Sequence, residues 1–222
     1  MKKENDNDID NSGEKEPIKI ILLGDSGVGK TNIISRYLKD EFNINSASTI
    51  GTTFGIKELV RNNITYNLNI WDTTGQEIYR SVTKLFIQGA KIVILVYSIN
   101  NISTFESLDY WYNSITEICD ENVILAIVGN KADLFDQEED DKDFVPEEKG
   151  QEYAQGKKAL FKSVSAKIDK KGIDSLFDQL LDIYIQKNCI QAISADQNNN
   201  NGSIVIDNKK INKKKSHKKK CC

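Results

Sequence analysis

The stretch Gly24-Asp25-Ser26-Gly27-Val28-Gly29-Lys30-Thr31 sets glycines, a lysine and a hydroxyl at the spacing that suits a phosphate chain. Gly24 and Gly29 let the backbone wrap an anion where a Cβ would collide. The N–H groups of the loop, across Asp25, Ser26, Gly27 and Val28, supply partial positive charge where a helix begins. Lys30 is placed to reach the β- and γ-phosphates. The Thr31 hydroxyl is a Mg²⁺ ligand.

A phosphate loop leaves the base open, and Asn130-Lys131-Ala132-Asp133 narrows it. An Asp133 carboxylate accepts from both N1–H and the 2-amino group of guanine. Adenine has neither donor and would leave a buried carboxylate unpaired, a mismatch that discriminates by orders of magnitude. Asn130 is expected to tie this segment to the phosphate loop, and the Lys131 stem to cover the base. Ser165-Ala166-Lys167 offers the Ala166 N–H to guanine O6. In Trp71-Asp72-Thr73-Thr74-Gly75-Gln76, Asp72 is positioned to hold Mg²⁺ through water, the Gly75 N–H to bond the γ-phosphate, and Gln76 to orient an attacking water. Thr49 adds a second Mg²⁺ ligand that also meets the γ-phosphate through its backbone. Each residue alone reads as an ordinary turn or strand-edge hydroxyl. Together the segments suit a Mg²⁺-bound guanine nucleotide, with Gln76 and Lys30 as the catalytic pair.

These segments need a frame with several loops at one end. The apolar run at 19–24 ends in glycine and reads as a buried strand. Ile33, Ile34, Tyr37 and Leu38 then repeat at helical spacing. Segments 54–60 and 64–71 flank Arg61-Asn62-Asn63 as a hairpin. Strands follow at 91–97, 122–129 and 159–165, with helices at 103–119, 146–156 and from Ile173 to Tyr184. The order βαββαβαβαβα implies an α/β fold with a mostly parallel six-stranded sheet, one antiparallel edge strand (54–60), and helices on both faces. Each chemical segment falls at the C-terminal end of a strand, where open α/β sheets bind ligands.

The 222 residues, 39% of them hydrophobic, suit one domain with polar tails. The expected division is an acidic disordered extension at 1–16, a globular domain at 17–190, and a disordered tail at 191–222. No N-terminal apolar h-region and no run near the ~18 apolar residues of a membrane span is present. Cys119, Cys189, Cys221 and Cys222 match no zinc spacing. His217 sits in the tail, so the domain has no histidine for acid–base or metal chemistry. Residues 1–16 carry three Lys against six Asp/Glu, and 209–222 carry eight Lys and no acid. An acidic domain argues against nucleic-acid binding. The lysine run suits a membrane surface or another anionic partner. The acidic stretch 136–143 reads as a solvated loop.

With these motifs in hand, the chain over about 17–190 resembles a Ras-superfamily small GTPase of the Rab family, which implies that the α/β fold is a P-loop NTPase G domain. The wider family shares the phosphate loop, Thr49, DTTGQ, NKAD and SAK. The Rab-like segments are IGTTF (50–54), YRSVT (79–83), FIQGA (86–90) and LVYSI (95–99). The resemblance implies that Phe42 packs on the guanine edge. It also implies that Phe54, Trp71 and Phe86 form an aromatic triad through which effectors read the nucleotide state; a core role fits those rings as well. It implies geranylgeranyl chains on Cys221 and Cys222, which with the lysines would tether the protein to the cytosolic face of an intracellular membrane, with a cytosolic pool. Effectors, an exchange factor, a GTPase-activating protein and a lipid-shielding chaperone are implied as partners. The implied role is a GTP/GDP switch in vesicle traffic.

Three departures stand out: FIQGA for YYRGA, a longer acidic loop, and Thr74 where the family has alanine. A Thr74 hydroxyl near the γ-phosphate has three outcomes: no effect, slower hydrolysis through crowding of Gln76, or phosphoryl transfer onto Thr74. Slower hydrolysis is the expectation. The rivals are a GTP-locked effector scaffold, a Ras- or Rho-type signalling GTPase, and a P-loop ATPase or kinase.

Overall fold

The computed structural model describes residues 16–45, 49, 51–76, 80–137 and 143–200. Strand β1 (Ile18–Leu23) alternates between two cores: Ile20 and Leu22 face one, Ile21 and Leu23 the other. Helix α1 (Lys30–Lys39) follows and stops at Asp40, which takes the left-handed conformation at φ 58°. β2 (Thr53–Arg61) and β3 (Ile64–Asp72) form the expected hairpin, in register from Thr53–Asp72 to Arg61–Ile64. Its two-residue turn puts Asn62 and Asn63 at φ 52° and 59°, which asparagine tolerates better than most side chains.

Helix α2 (Arg80–Ile87), β4 (Ile92–Ser98), α3 (Ile102–Glu106), α4 (Leu108–Ile118), β5 (Ile124–Asn130), α5 (Glu147–Gly156), β6 (Leu160–Val164) and α6 (Lys170–Asn200) complete the order. The sheet runs β2-β3-β1-β4-β5-β6. Every pairing is parallel except β2 with β3, so the antiparallel strand is at the edge as expected. α1 and α6 pack one face, and α4 and α5 the other. β4 is buried at every residue, because parallel strands covered on both sides have no solvent face.

The structure moves three sequence-based boundaries. The helix expected over 103–119 is two, divided at Ser107, whose hydroxyl and N–H both donate to the Ser103 carbonyl at 3.0 Å. Apolar spacing carries no trace of that break. Between β3 and β4, the order of elements left room for a helix, and the structure places α2 there. α6 continues to Asn200, ten residues past the expected domain boundary at 190. The extension before residue 16, most of the acidic loop, and the tail from 201 with Cys221 and Cys222 lie outside the described residues. Among the described residues no helix is long and apolar enough to cross a membrane.

Leu22 on β1 is fully buried, whereas Val60 on the edge strand is 60% exposed. Leu22→Ala should cost about 3 kcal/mol in denaturant unfolding, and Val60→Ala less than about 0.5 kcal/mol.

Candidate functional site

The C-terminal ends of β1, β3, β5 and β6 open into a cavity of about 370 Å³. It is walled by the phosphate loop, Phe42, Thr49, Thr73, Gly75, Asn130, Lys131, Asp133, Ala166 and Lys167. A larger cavity of about 490 Å³ lies around Ile115, Cys119, Leu160 and Ile183 and holds none of the residues expected to do chemistry. The smaller one is the site, because the chemistry converges there.

In the phosphate loop Gly24 and Gly29 take φ of 143° and 95°. The expected collision at both positions is with the protein itself. A Cβ at Gly24 would overlap the Val96 carbonyl oxygen, and one at Gly29 the side-chain nitrogen of Asn130. The loop is pressed against β4 and β5, which holds its N–H groups in place. Gly75 backs onto the same loop so closely that a Cβ would overlap the Asp25 carbonyl. Lys30 is only 5% exposed and donates to the carbonyls of Gly24 (2.7 Å) and Asp25 (2.9 Å). Burial pushes its ammonium down to about 8, against the pull of Asp72 and Asp25.

Thr31, Thr49 and Asp72 come together from α1, the 41–51 connection and the end of β3. The Thr31 hydroxyl donates to Asp72 Oδ2 at 2.7 Å and lies 2.8 Å from the Thr49 hydroxyl. Asp72 Oδ1 is buried with no hydrogen-bond partner. Burial raises the Asp72 carboxyl, opposed by the Thr31 hydroxyl and Lys30. Two hydroxyls and one carboxylate with an orphaned oxygen suit a hard divalent ion that keeps waters and shares phosphate oxygens, so the donor set fits Mg²⁺. Among the described residues no cluster of His, Cys, Asp and Glu suggests a softer metal.

At the other end, Asn130 is 2% exposed and does tie the loops. Its Nδ2 donates to the Val28 carbonyl at 2.8 Å, and its Oδ1 accepts the Ala166 N–H at 3.1 Å. The Ala166 N–H thus serves a buried amide oxygen, and guanine O6 would share it. Asp133 is held by the Ser165 hydroxyl at 2.6 Å and by Lys167 at 3.7 Å. Lys131 is at φ 71°, and burial lowers its ammonium despite Asp133.

Thr74 lies beside this site. It is 5% exposed and is not part of the cavity wall; its Oγ1 accepts the Gln76 N–H at 3.3 Å. A buried hydroxyl needs a partner, and the nearest backbone N–H supplies one. The wall residue is its neighbour Thr73, whose hydroxyl donates to the Leu22 carbonyl at 2.7 Å. Sequence reasoning passed over Thr73. It also missed Trp111, whose Nε1–H donates to Asp25 Oδ1 at 3.0 Å across 86 positions that no local pattern spans. Phe54, Trp71 and Phe86 form a continuous ring stack, with centroids 5.2 and 6.0 Å apart. Phe54 is 57% exposed, so the stack reaches the surface.

Removing the Asn130 amide would strand the Val28 carbonyl and the Ala166 N–H together. Asn130→Ala should lower unfolding stability by about 3 kcal/mol, measured in denaturant without added nucleotide.

The Ras family model matches residues 19–186. Ras-related protein RABA1b of Arabidopsis thaliana is 38% identical over 163 residues, 73% of each chain. Ras-related protein Rab11A of Lotus japonicus is 36% identical over 181 residues, 81% of this chain and 77% of its own. Ras-related protein rab-11.1 of Caenorhabditis elegans is 36% identical over 167 residues, 75% and 76% of the two chains. With that coverage, and with phosphate, cation and base segments meeting in one cavity, the chain belongs to the Ras family of small GTPases, in its Rab branch.

Proposed function

We propose that the chain is a Rab-type switch of membrane traffic that binds GTP and GDP and hydrolyses GTP at the cavity above β1, β3 and β5. The observation that supports this best is the meeting of the Thr31–Thr49–Asp72 oxygens with the Asn130-braced Asp133 loop across a single 370 Å³ cavity. Lys30 leaves its loop carbonyls to bind the β- and γ-phosphates. The loop N–H groups and the Gly75 N–H hold phosphate oxygens, and Gln76 orients the attacking water. Thr31 and Thr49 would hold Mg²⁺, with Asp72 acting through water, and the ion would supply charge neutralisation. Asp133 pairs with guanine, Lys131 and Phe42 cover the base, and Ser165, Ala166 and Lys167 line its far edge. Neither the GTP-locked scaffold nor a Ras- or Rho-type role is favoured by the relatives.

The Phe54–Trp71–Phe86 stack is the proposed effector-reading surface, since it joins the two segments that follow the γ-phosphate. Cys221 and Cys222 are the proposed lipid sites, with the eight lysines of 209–222 as a second membrane signal. Lipid-bound protein would sit on the cytosolic face of an intracellular membrane and need a shielding chaperone in the cytosol. An exchange factor and a GTPase-activating protein would set the cycle.

The Thr74 bond to the Gln76 N–H supports slowed hydrolysis: it restrains the segment that carries Gln76. Phosphoryl transfer to Thr74 has no comparable support.

Purified protein should carry guanine nucleotide and ignore ATP, and Asp133→Asn should weaken GDP by more than about a hundredfold. Tight ATP binding that survives Asp133→Asn would restore the ATPase reading. In single-turnover assays Gln76→Leu should slow GTP hydrolysis at least about tenfold, and Thr74→Ala should speed it. An unchanged rate in Thr74→Ala would remove any role for that hydroxyl.

A further inference from the structure

Helix α1 begins in the phosphate loop and carries two polar residues four positions apart, Asn32 and Arg36. That spacing sets them on one face. Each grips the backbone of a different loop. Asn32 pairs with Asn43 as a neighbouring strand would: Nδ2 donates to the Asn43 carbonyl at 3.1 Å, and Oδ1 accepts the Asn43 N–H at 3.2 Å. Asn43 directly follows Phe42, the aromatic in the cavity wall. Arg36 donates from Nε to the Ala166 carbonyl and from Nη2 to the Lys167 carbonyl, both at 2.9 Å. Its Nη1 binds the Asp40 carbonyl (3.0 Å) and carboxylate (2.7 Å). The Arg36 side chain is 15% exposed, whereas that of Asp40 is 61% exposed.

The Asp40 pair, facing water, contributes little. The two carbonyls are the consequential partners, because a planar fork meets them from two nitrogens at a fixed spacing, which the single nitrogen of a lysine on its flexible stem does not reproduce. They belong to the loop whose Ser165 and Lys167 side chains hold Asp133. One helix therefore fixes the phosphate loop at its start and both walls of the base pocket along its side.

We propose that Asn32 and Arg36 are positioning residues for the base half of the site, acting through Phe42 and Asp133 respectively. The inference rests on the guanine-nucleotide reading. The two residues divide the work. Phe42 covers any purine, so Asn32 sets how long a nucleotide stays whatever its 2-substituent. Asp133 reads the 2-amino group, so Arg36 also sets the preference for guanine over hypoxanthine, which lacks that group.

The test is release of GDP and IDP from the purified full chain, in wild type, Asn32→Ala, Arg36→Gln and Arg36→Lys. Asn32→Ala should release both nucleotides about tenfold faster, with the GDP-over-IDP preference unchanged. In a Phe42→Leu background the Asn32→Ala effect should largely vanish, the non-additivity of residues acting through one another. Arg36→Gln should speed GDP release and narrow the GDP-over-IDP preference several-fold, and Arg36→Lys should restore little of it. Wild-type release and preference in both Arg36 variants would overturn the Arg36 half, and additivity of Asn32→Ala with Phe42→Leu would overturn the Asn32 half. Wild-type protein that fails to prefer GDP over IDP would show instead that the guanine reading is wrong, and the proposal falls with it.

Discussion

Everything at the site depends on one buried side-chain amide. Asn130 closes β5 with its donor on the phosphate loop and its acceptor on the Ser165–Lys167 loop. Both ends are satisfied inside a wall that water does not reach, where an unmade hydrogen bond costs most. Gly29 is glycine because this amide occupies the space its Cβ would take. The loop for phosphates and the loop for the base are thus held at a set distance by an amide that takes no part in the reaction.

The frame around that amide follows from strand direction. Four parallel pairings point β1, β3, β4, β5 and β6 the same way, so their loops share one end of the sheet. Two cores, one per sheet face, make that end rigid, and α1 and α6 clamp the β2–β3 hairpin from one side. Arg61 at the far end of β2 reaches Asp178 and Asp182 on α6; with these carboxylates 46% and 63% exposed, the pairs orient the hairpin more than they stabilise it. The opposite side carries the Trp111 indole onto Asp25, so the phosphate loop is braced from α4 as well. Against this rigid body Thr49 and Gly75 belong to connections, not strands.

Contiguous chemistry was legible in the chain; contacts at a distance were not. The phosphate loop could be read because its residues act through their own backbone within eight positions. The hairpin could be read because alternation at Ile64, Tyr66, Leu68 and Ile70 reports a half-buried strand. Ser107 was invisible, since apolar spacing continues on both sides of it. The partners of Thr73 and Thr74 were invisible for a related reason. Two adjacent hydroxyls in an irregular segment point in different directions, and only the packing of β3 against β1 decides which one meets Leu22 and which turns to Gln76.

Sequence alone determined the order of strands, the antiparallel edge and the guanine-nucleotide chemistry, because each rests on a local pattern or on a motif with its own mechanism. Tertiary structure decided which partners those residues keep: that the Ala166 N–H serves Asn130, that Lys30 turns onto loop carbonyls, and that Asn32 and Arg36 hold the base loops. Those outcomes are matters of hydrogen-bond satisfaction in a closed space. A donor's partner is set by which acceptors folding brings within about 3 Å, and that is a property of the packed chain, not of any stretch of it.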